Sequence, residues 1–225
     1  PGGPGLHQIE WAMDRAGTRQ PNREEPGDPE NAPEPGGPLL LPGDYTVRVI
    51  LGADTAQSSV RVLPDHRISF DINTARAVDQ LNTRLLDAQR RTTDVADRIR
   101  SARKTVARVE DLLDEWDGEE QEVDSLKEHG ARVDEALEVM YEYIIGESGQ
   151  RRVNQPSVIT SRLRSASSAL SSGRWQEPTQ TALRALERAE QAVAELESAA
   201  NQWFETDWLE FRTAVEAFGL TLFGD

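Results

Sequence analysis

The chain has 225 residues, of which 37% are hydrophobic, and 40 acidic against 25 basic residues give it a net charge of −15. Such a chain can bury a sizeable core, but its acidic surface makes nucleic acid and anionic membrane surfaces poor partners. It contains no cysteine, which excludes disulfides, thiolate metal sites and a cysteine nucleophile.

The basic residues are almost all arginine, since Lys104 and Lys127 are the two exceptions. Two explanations stay open for this bias. One is a GC-rich genome, and the other is a salt-adapted organism in which an acidic surface keeps the protein solvated. No apolar run approaches the roughly 20 residues that a transmembrane helix needs, so the sequence predicts no membrane span.

The first predicted element is a half-buried strand over residues 5–14, "GLHQIEWAMD", in which large and polar side chains alternate. From Arg15 to Pro38 the chain then carries six prolines and four glycines among charged residues. Prolines withhold a backbone donor from a sheet, and this composition buries little apolar area. The sequence therefore predicts a disordered or loop insert at 15–38.

The next segment predicts a β-hairpin. "DYTVRVIL" at 44–51 alternates between an apolar and a more polar side, and Pro42-Gly43 supplies the turn that introduces it. "GADTAQ" at 52–57 is predicted to reverse the chain, and "SSVRVL" at 58–63 to return as the second strand. The apolar side of the first strand carries Tyr45, Val47, Val49 and Leu51.

Each of these three predicted strands has an apolar face, and three strands are stable only if that face is covered. One possibility is that the helices of the same chain cover it. The other is that strands preceding Pro1 complete a sandwich. We favour the second, because a chain that opens on a strand without a start methionine resembles a piece of a longer protein.

From Ile72 onward the apolar residues recur every three or four positions, which is typical of helices. One seam predicts a single long helix to about Trp116, followed by a break at 117–120 and a second helix over about 123–144. A turn-rich connection follows at 146–156. The first seam comprises Val78, Leu81, Leu85, Ala88, Thr92, Val95, Ile99, Ala102, Val106, Val109, Leu113 and Trp116.

A shorter third helix is predicted around Ile159–Leu170, and a last helix begins near Pro178. The seam of the last helix slips by one residue between Trp203 and Phe204, as a straight helix drifts against a seven-residue repeat. The predicted fold class is α+β and mostly α. It consists of partial β-sandwich strands followed by an antiparallel four-helix bundle with long helices.

No residue is predicted to be catalytic, cofactor-binding or metal-binding. The three histidines, His7, His66 and His129, show no pair at metal-ligand spacing. The acidic run at 114–128 does not match a calcium loop, because aligning Gly118 with the sixth position puts Leu113 at the first. It predicts a solvated junction between two helices.

Five aromatic residues near the C-terminus follow helical spacing, which favours a packed core over a sugar-binding platform. They are Trp203, Phe204, Trp208, Phe211 and Phe218.

Five segments resemble, in order, the C-terminal part of the bacterial sortilin-like proteins, often labelled glycosyl hydrolases with BNR (Asp-box) repeats. "GLHQIEWAMD" is similar to a Gly-Leu-Asn-Arg strand that ends in Trp-Asp, with Ala12-Met13 inserted here. "LPGDYTVRVILG" and "VLPDHR" are similar to a hairpin strand and to the Asp-Pro-Arg that leaves the sandwich, with His66 replacing the proline. "VNQPSVITSRLRSA" and "PTQTALRALERAEQAVAELE" are similar to two segments of the helical tail.

The resemblance implies that residues 1–68 are the last strands of an immunoglobulin- or fibronectin-type-III-like sandwich and that 69–225 are the helical bundle. It also implies an exported protein, periplasmic or extracellular, whose β-propeller is not in this chain. No catalytic residue can be carried over, because none of the matching motifs is catalytic.

Two functions are therefore expected to compete. The preferred one is a non-catalytic scaffold that braces an upstream propeller and sandwich, binds a protein partner or self-associates. The alternative is a region of a glycoside hydrolase or peptidase whose catalytic or substrate-binding site lies in the missing propeller. Whether the parent protein is an enzyme stays open. Neither function requires a cofactor in this chain.

Overall fold

The structure is a computed structural model, and the mostly helical α+β class that the sequence predicts is confirmed. It describes residues 5–8, 10–24, 27, 32–116, 120–147, 157–171 and 176–220.

The described strands form two separate antiparallel sheets of two strands each, β1 with β2 and β3 with β4. They are β1 (Asp14–Ala16), β2 (Gly36–Leu39), β3 (Gly43–Leu51) and β4 (Asp54–Val62).

The prediction of a strand over 5–14 is wrong for the described residues of that range. The strand found there, β1, covers only Asp14–Ala16. The side chain of Leu6 is fully exposed and that of Met13 is 51% exposed. Alternation makes one side of a segment apolar, but a strand also needs a neighbour to accept its hydrogen bonds. The predicted 15–38 insert likewise begins and ends in paired strands.

The predicted hairpin is present, with a tighter turn than expected. Leu51 pairs with Asp54, so only Gly52 and Ala53 form the loop, and the predicted turn residues 54–57 belong to β4. Gly52 has a φ of +58°, which suits the first loop position of a type II′ turn and which glycine adopts without a steric cost.

Five helices follow among the described residues. They are α1 (Ile72–Asp114), α2 (Glu120–Ile145), α3 (Ile159–Ser171), α4 (Gln180–Glu205) and α5 (Asp207–Ala217). At about 1.5 Å per residue, α1 is about 65 Å long. Asp71 caps its start by accepting a hydrogen bond from the Thr74 backbone.

The seam predicted for α1 is confirmed, because all of its members except Trp116 are buried. Trp116 lies just beyond the end of the helix and is 45% exposed. In α3, Ile159, Leu163, Ala166 and Leu170 are also buried, and they join one continuous core with α2, α4 and α5. Met140 in α2 is only partly buried, and Tyr141 beside it fills the core position.

Helix α2 returns antiparallel to α1. Arg103 of α1 bonds Asp134 of α2, whereas Asp114 near the end of α1 meets Lys127 near the start of α2. Helix α3 packs against the first half of α1, where Leu170 of α3 and Val78 of α1 line the same pocket.

Helix α4 runs in the same direction as α1. Arg84 pairs with Glu190 and Arg91 pairs with Glu197, so the partners advance together by one heptad. One heptad further on, Arg98 lies over the ring of Phe204, 3.8 Å from its centroid. Three regular contacts fix the register of the two helices.

The last predicted helix is divided in two by Thr206, whose φ of −111° and ψ of −81° are not helical. The break allows α5 to turn toward α2. Phe211 of α5 is fully buried and lies close to Gly130 of α2, a position without a side chain.

Candidate functional site

The apolar face of the β3–β4 hairpin is the first candidate surface. Register places Tyr45 opposite Val60 and Val49 opposite Ala56 on this face, with Leu51 at its end. The exposed fractions are 51% for Val49, 77% for Leu51 and 39% for Val60. On β3 the apolar side chains form a continuous row, whereas β4 contributes Ser58 and Asp54 to the same face. Exposed apolar surface of this kind marks interaction sites.

The opposite face of the hairpin is more polar. Arg61 donates to Asp44 at 2.6 Å and 3.1 Å, in a pair that is largely exposed. Thr46 lies opposite Ser59, and Ile50 is the large apolar exception. A hairpin with one apolar and one polar face is typical of strands whose apolar face packs against another layer.

A second candidate is the segment at 14–24, which we call the arginine strap. Arg15 bonds Asp79 at 2.5 Å, Arg19 bonds Asp97 at 2.5 Å and 2.6 Å, and Arg23 bonds Glu138 at 2.7 Å. The three arginines are four residues apart. The side chains of all three arginines are about a third exposed.

The backbone of the strap is also held. Thr93 donates its hydroxyl to the carbonyl of Arg19 at 2.6 Å. Arg100 donates to the carbonyl of Asn22 at 2.7 Å, and the hydroxyl of Tyr141 donates to the same oxygen. Pro21, between these two carbonyls, is buried. The strap therefore lies in a groove formed by α1 and α2.

A cleft of about 650 Å³ continues this groove between α1 and α2. Arg23, Arg100 and Tyr141 line it where the strap ends, and both lysines of the chain line it further on. The hydrogen bond that Lys127 donates to Asp114 raises the pKa of its ammonium group. A hydrogen bond with Asp134 likewise raises the pKa of the Arg103 guanidinium.

The sequence did not identify the strap arginines as functional. The available signal was their spacing, because residues four apart lie on the same side of an extended chain. The many prolines and glycines of residues 15–38 predict a loop, and they favour it more strongly than this spacing favours an ordered segment. The acids that hold them lie on two different helices, so no local pattern could pair them.

The aromatic group is core, as predicted. Phe204 and Phe211 are buried, while Trp203, Trp208 and Phe218 pack against the core with partial exposure. Phe204 and Trp208 meet at 6.0 Å between centroids, and Trp208 and Phe211 at 5.7 Å.

The histidines and acidic residues considered above as metal ligands are spread over the molecule. His129 lies edge-on to Phe211, at 5.4 Å between centroids, while His7 and His66 are exposed. Within the described ranges, no group of three or more His, Asp or Glu side chains is placed to hold a metal ion. Residues 117–119 and 148–156, in two predicted connections, lie outside the described residues.

None of the helices described here combines the length and the apolar character needed to cross a membrane. Comparison with protein-family models, with curated proteins and with solved structures gives no match for this chain. The resemblance to the sortilin-like proteins therefore stays a prediction.

Proposed function

We propose that this chain is a non-catalytic scaffold that packs the apolar face of its hairpin against a β-rich domain and braces that domain with a helical rod. The observation that carries the proposal is the uncovered hairpin face, where Leu51 is 77% exposed and Val49 is 51% exposed. As the resemblance predicts, the partner is the upstream sandwich and propeller of an exported parent protein.

The shape of the hairpin supports a sheet as its partner. A two-stranded hairpin is only marginally stable in water and is stabilised by further strands or by packing. Within the part of the chain that the structure describes, β3 and β4 pair only with each other. Both strands are nine residues long, and β3 alternates between apolar and polar side chains over most of its length, which suits the inner face of a sandwich, where two sheets pack about 10 Å apart.

The helical region supports the bracing role. The seam of α1 is buried almost along its whole length, so the helix is stiffened by its neighbours. The register contacts between α1 and α4, from Arg84 to Arg98, oppose sliding of one helix along the other. A rod of this kind holds a fixed separation between what is bound at its two ends.

The test uses hydrogen exchange of residues 1–225 alone and joined to the domains that precede them in the parent protein. We expect amides of β3 and β4 to be protected at least about tenfold more strongly in the longer protein, because local opening then also breaks the docked face. Equal protection in the two proteins would contradict the proposal.

A matched pair of substitutions identifies the face. Leu51→Thr removes apolar surface from the proposed docking face, whereas Ile50→Thr removes it from the opposite face. We expect the first change to abolish the extra protection in the longer protein and the second to preserve it. Equal effects of the two variants would show that the apolar face is not the docking face.

A further inference from the structure

We propose that the groove between α1 and α2 is a recognition site for an extended peptide of the form Arg-x-Pro-x-Arg. In this structure the chain's own residues 19–23, "RQPNR", occupy it as an intramolecular latch. This inference does not rest on the function proposed for the hairpin, because it uses a different surface and different residues.

The groove binds the backbone of the segment through hydrogen bonds. The donors Thr93 and Arg100 are seven residues apart on α1, a rise of about 10.5 Å. The carbonyls that they bind belong to Arg19 and Asn22, three residues apart, which is about 10 Å in an extended chain. Helix and strap therefore run in the same direction with matched spacing. A segment bound here must be extended.

Proline is suited to the middle position. It lacks a backbone N–H, so burying it leaves no donor unsatisfied, and its fixed φ favours an extended chain before binding. Pro21 is buried between the two bound carbonyls. Aromatic side chains and hydrogen-bond donors commonly bind proline-containing extended peptides, and here the hydroxyl of Tyr141 donates to the carbonyl next after Pro21, that of Asn22.

The two flanking arginines supply charge complementarity. Arg19 binds both carboxylate oxygens of Asp97. Arg23 binds Glu138 at 2.7 Å and the carbonyl of Gly146 at 3.1 Å, and it approaches Glu142 at 3.6 Å. These acids lie on α1 and α2, so the groove favours a cation at each end of the bound peptide.

The latch is suited to exchange with another segment. The side chains of Arg19 and Arg23 are 32% and 37% exposed, so water weakens their ion pairs. Nη1 of Arg19 is buried and has no hydrogen-bond partner among the described residues, which reduces the net gain from docking.

The experiment measures binding of a fluorescent octapeptide with the sequence of residues 17–24, "GTRQPNRE". The protein is the full chain carrying Arg19→Gln, Pro21→Ser and Arg23→Gln, which weaken the latch and leave the groove intact. We expect saturable binding, at least tenfold tighter than to the wild-type chain, whose own latch competes at a high effective concentration. Absence of saturable binding to this variant, with its helical circular dichroism retained, would overturn the proposal.

Two controls separate recognition from simple charge attraction. A shuffled octapeptide of the same composition should bind at least tenfold more weakly, and adding Thr93→Val to the variant should cost a similar factor. Equal binding of the shuffled peptide would overturn the proposal, because it would show attraction to the acidic surface only.

A further measurement uses single substitutions and does not depend on the triple variant. Trypsin cleavage after Arg19 requires release of the latch. We expect Tyr141→Phe to accelerate this cleavage severalfold, because Asn22 loses a donor. The matched control is Tyr143→Phe, on the same helix and 38% exposed, which should leave the rate unchanged. Equal rates in both variants would contradict the latch.

Discussion

The helical bundle and the β3–β4 hairpin use the same kinds of apolar residues with opposite outcomes. In the bundle, Ile99, Leu186 and Val193 are completely buried. In the hairpin, Val49 and Leu51 are mostly exposed although they follow the period-two alternation of β3, from which Ile50 departs. The difference shows that apolar periodicity defines a face, whereas burial requires a partner for that face.

This contrast separates two kinds of stability. Each long helix of the bundle meets neighbours that cover its seam, so its stability is cooperative. The hairpin has a two-residue turn and one ladder of hydrogen bonds. We therefore expect the hairpin to open locally while the bundle stays folded.

Hydrogen exchange should show the largest difference between the two regions. Amides at the centre of α1, near Ile99, should exchange only through global unfolding. Amides of the β3–β4 ladder in residues 1–225 alone should exchange at least about a thousandfold faster, which corresponds to about 4 kcal/mol. Similar protection in both regions, followed residue by residue by NMR, would contradict the contrast.

A matched pair of leucine truncations tests the same contrast through stability. Leu186→Ala removes a fully buried side chain from α4 and should lower the free energy of unfolding by about 2–5 kcal/mol. Leu51→Ala makes the same chemical change on the exposed hairpin and should cost about 0.5 kcal/mol or less. Urea denaturation followed by circular dichroism measures both. A cost for Leu51→Ala comparable to that for Leu186→Ala would show that the hairpin is packed.

Two glycine substitutions should act in opposite directions. A Cβ at Gly130 would meet Val106 at 3.6 Å and Phe211 at 3.7 Å, which are ordinary contacts. Gly130→Ala should therefore stabilise α2 by about 0.5–1 kcal/mol in urea denaturation. Gly52→Ala forces alanine to a positive φ and should weaken the hairpin, seen as faster exchange in β3 and β4. Destabilisation by Gly130→Ala would show that the helix interface has no room for a methyl group.

The helix cap at Asp71 should show a small pH effect. The hydrogen bond from the Thr74 backbone holds the pKa of the Asp71 carboxyl below its usual range. A lowered folded pKa means that this contribution to stability is present above about pH 4 and is lost as the pH falls through the folded pKa. Carbon-13 NMR of the Asp71 carboxyl should report the low pKa. An ordinary value would mean that the cap is not formed, and Asp71→Asn should keep the cap without the titration.

Much of the fold follows from local patterns. The seam from Val78 to Leu113 predicted one long helix, and its members are buried. The alternation around Val47 and Val60 predicted the hairpin pair. The aromatic spacing from Phe204 to Phe211 predicted core residues. In these cases the spacing of the apolar side chains along the sequence equals the residue repeat of the helix or strand that carries them.

The candidate sites were less predictable. The strap lies in a segment that composition alone assigns to a loop, and its hold on the bundle requires Asp97, Tyr141 and Glu138 from two helices. The division of the last helix at Thr206 also had no local signal beyond a slip in the seam. The position of this break depends on how α5 packs against α2.

The sequence by itself determined which residues are apolar on each element and where most helices begin and end, because these depend on short-range periodicity and capping. The tertiary structure decided that α4 runs parallel to α1, that the strap lies in the α1–α2 groove, and that the described residues leave Val49 and Leu51 of the hairpin exposed. These outcomes depend on contacts between residues far apart in the chain, such as Arg84 with Glu190 and Arg23 with Glu138. Periodicity gives an element its apolar face, but only the surrounding elements determine what covers it.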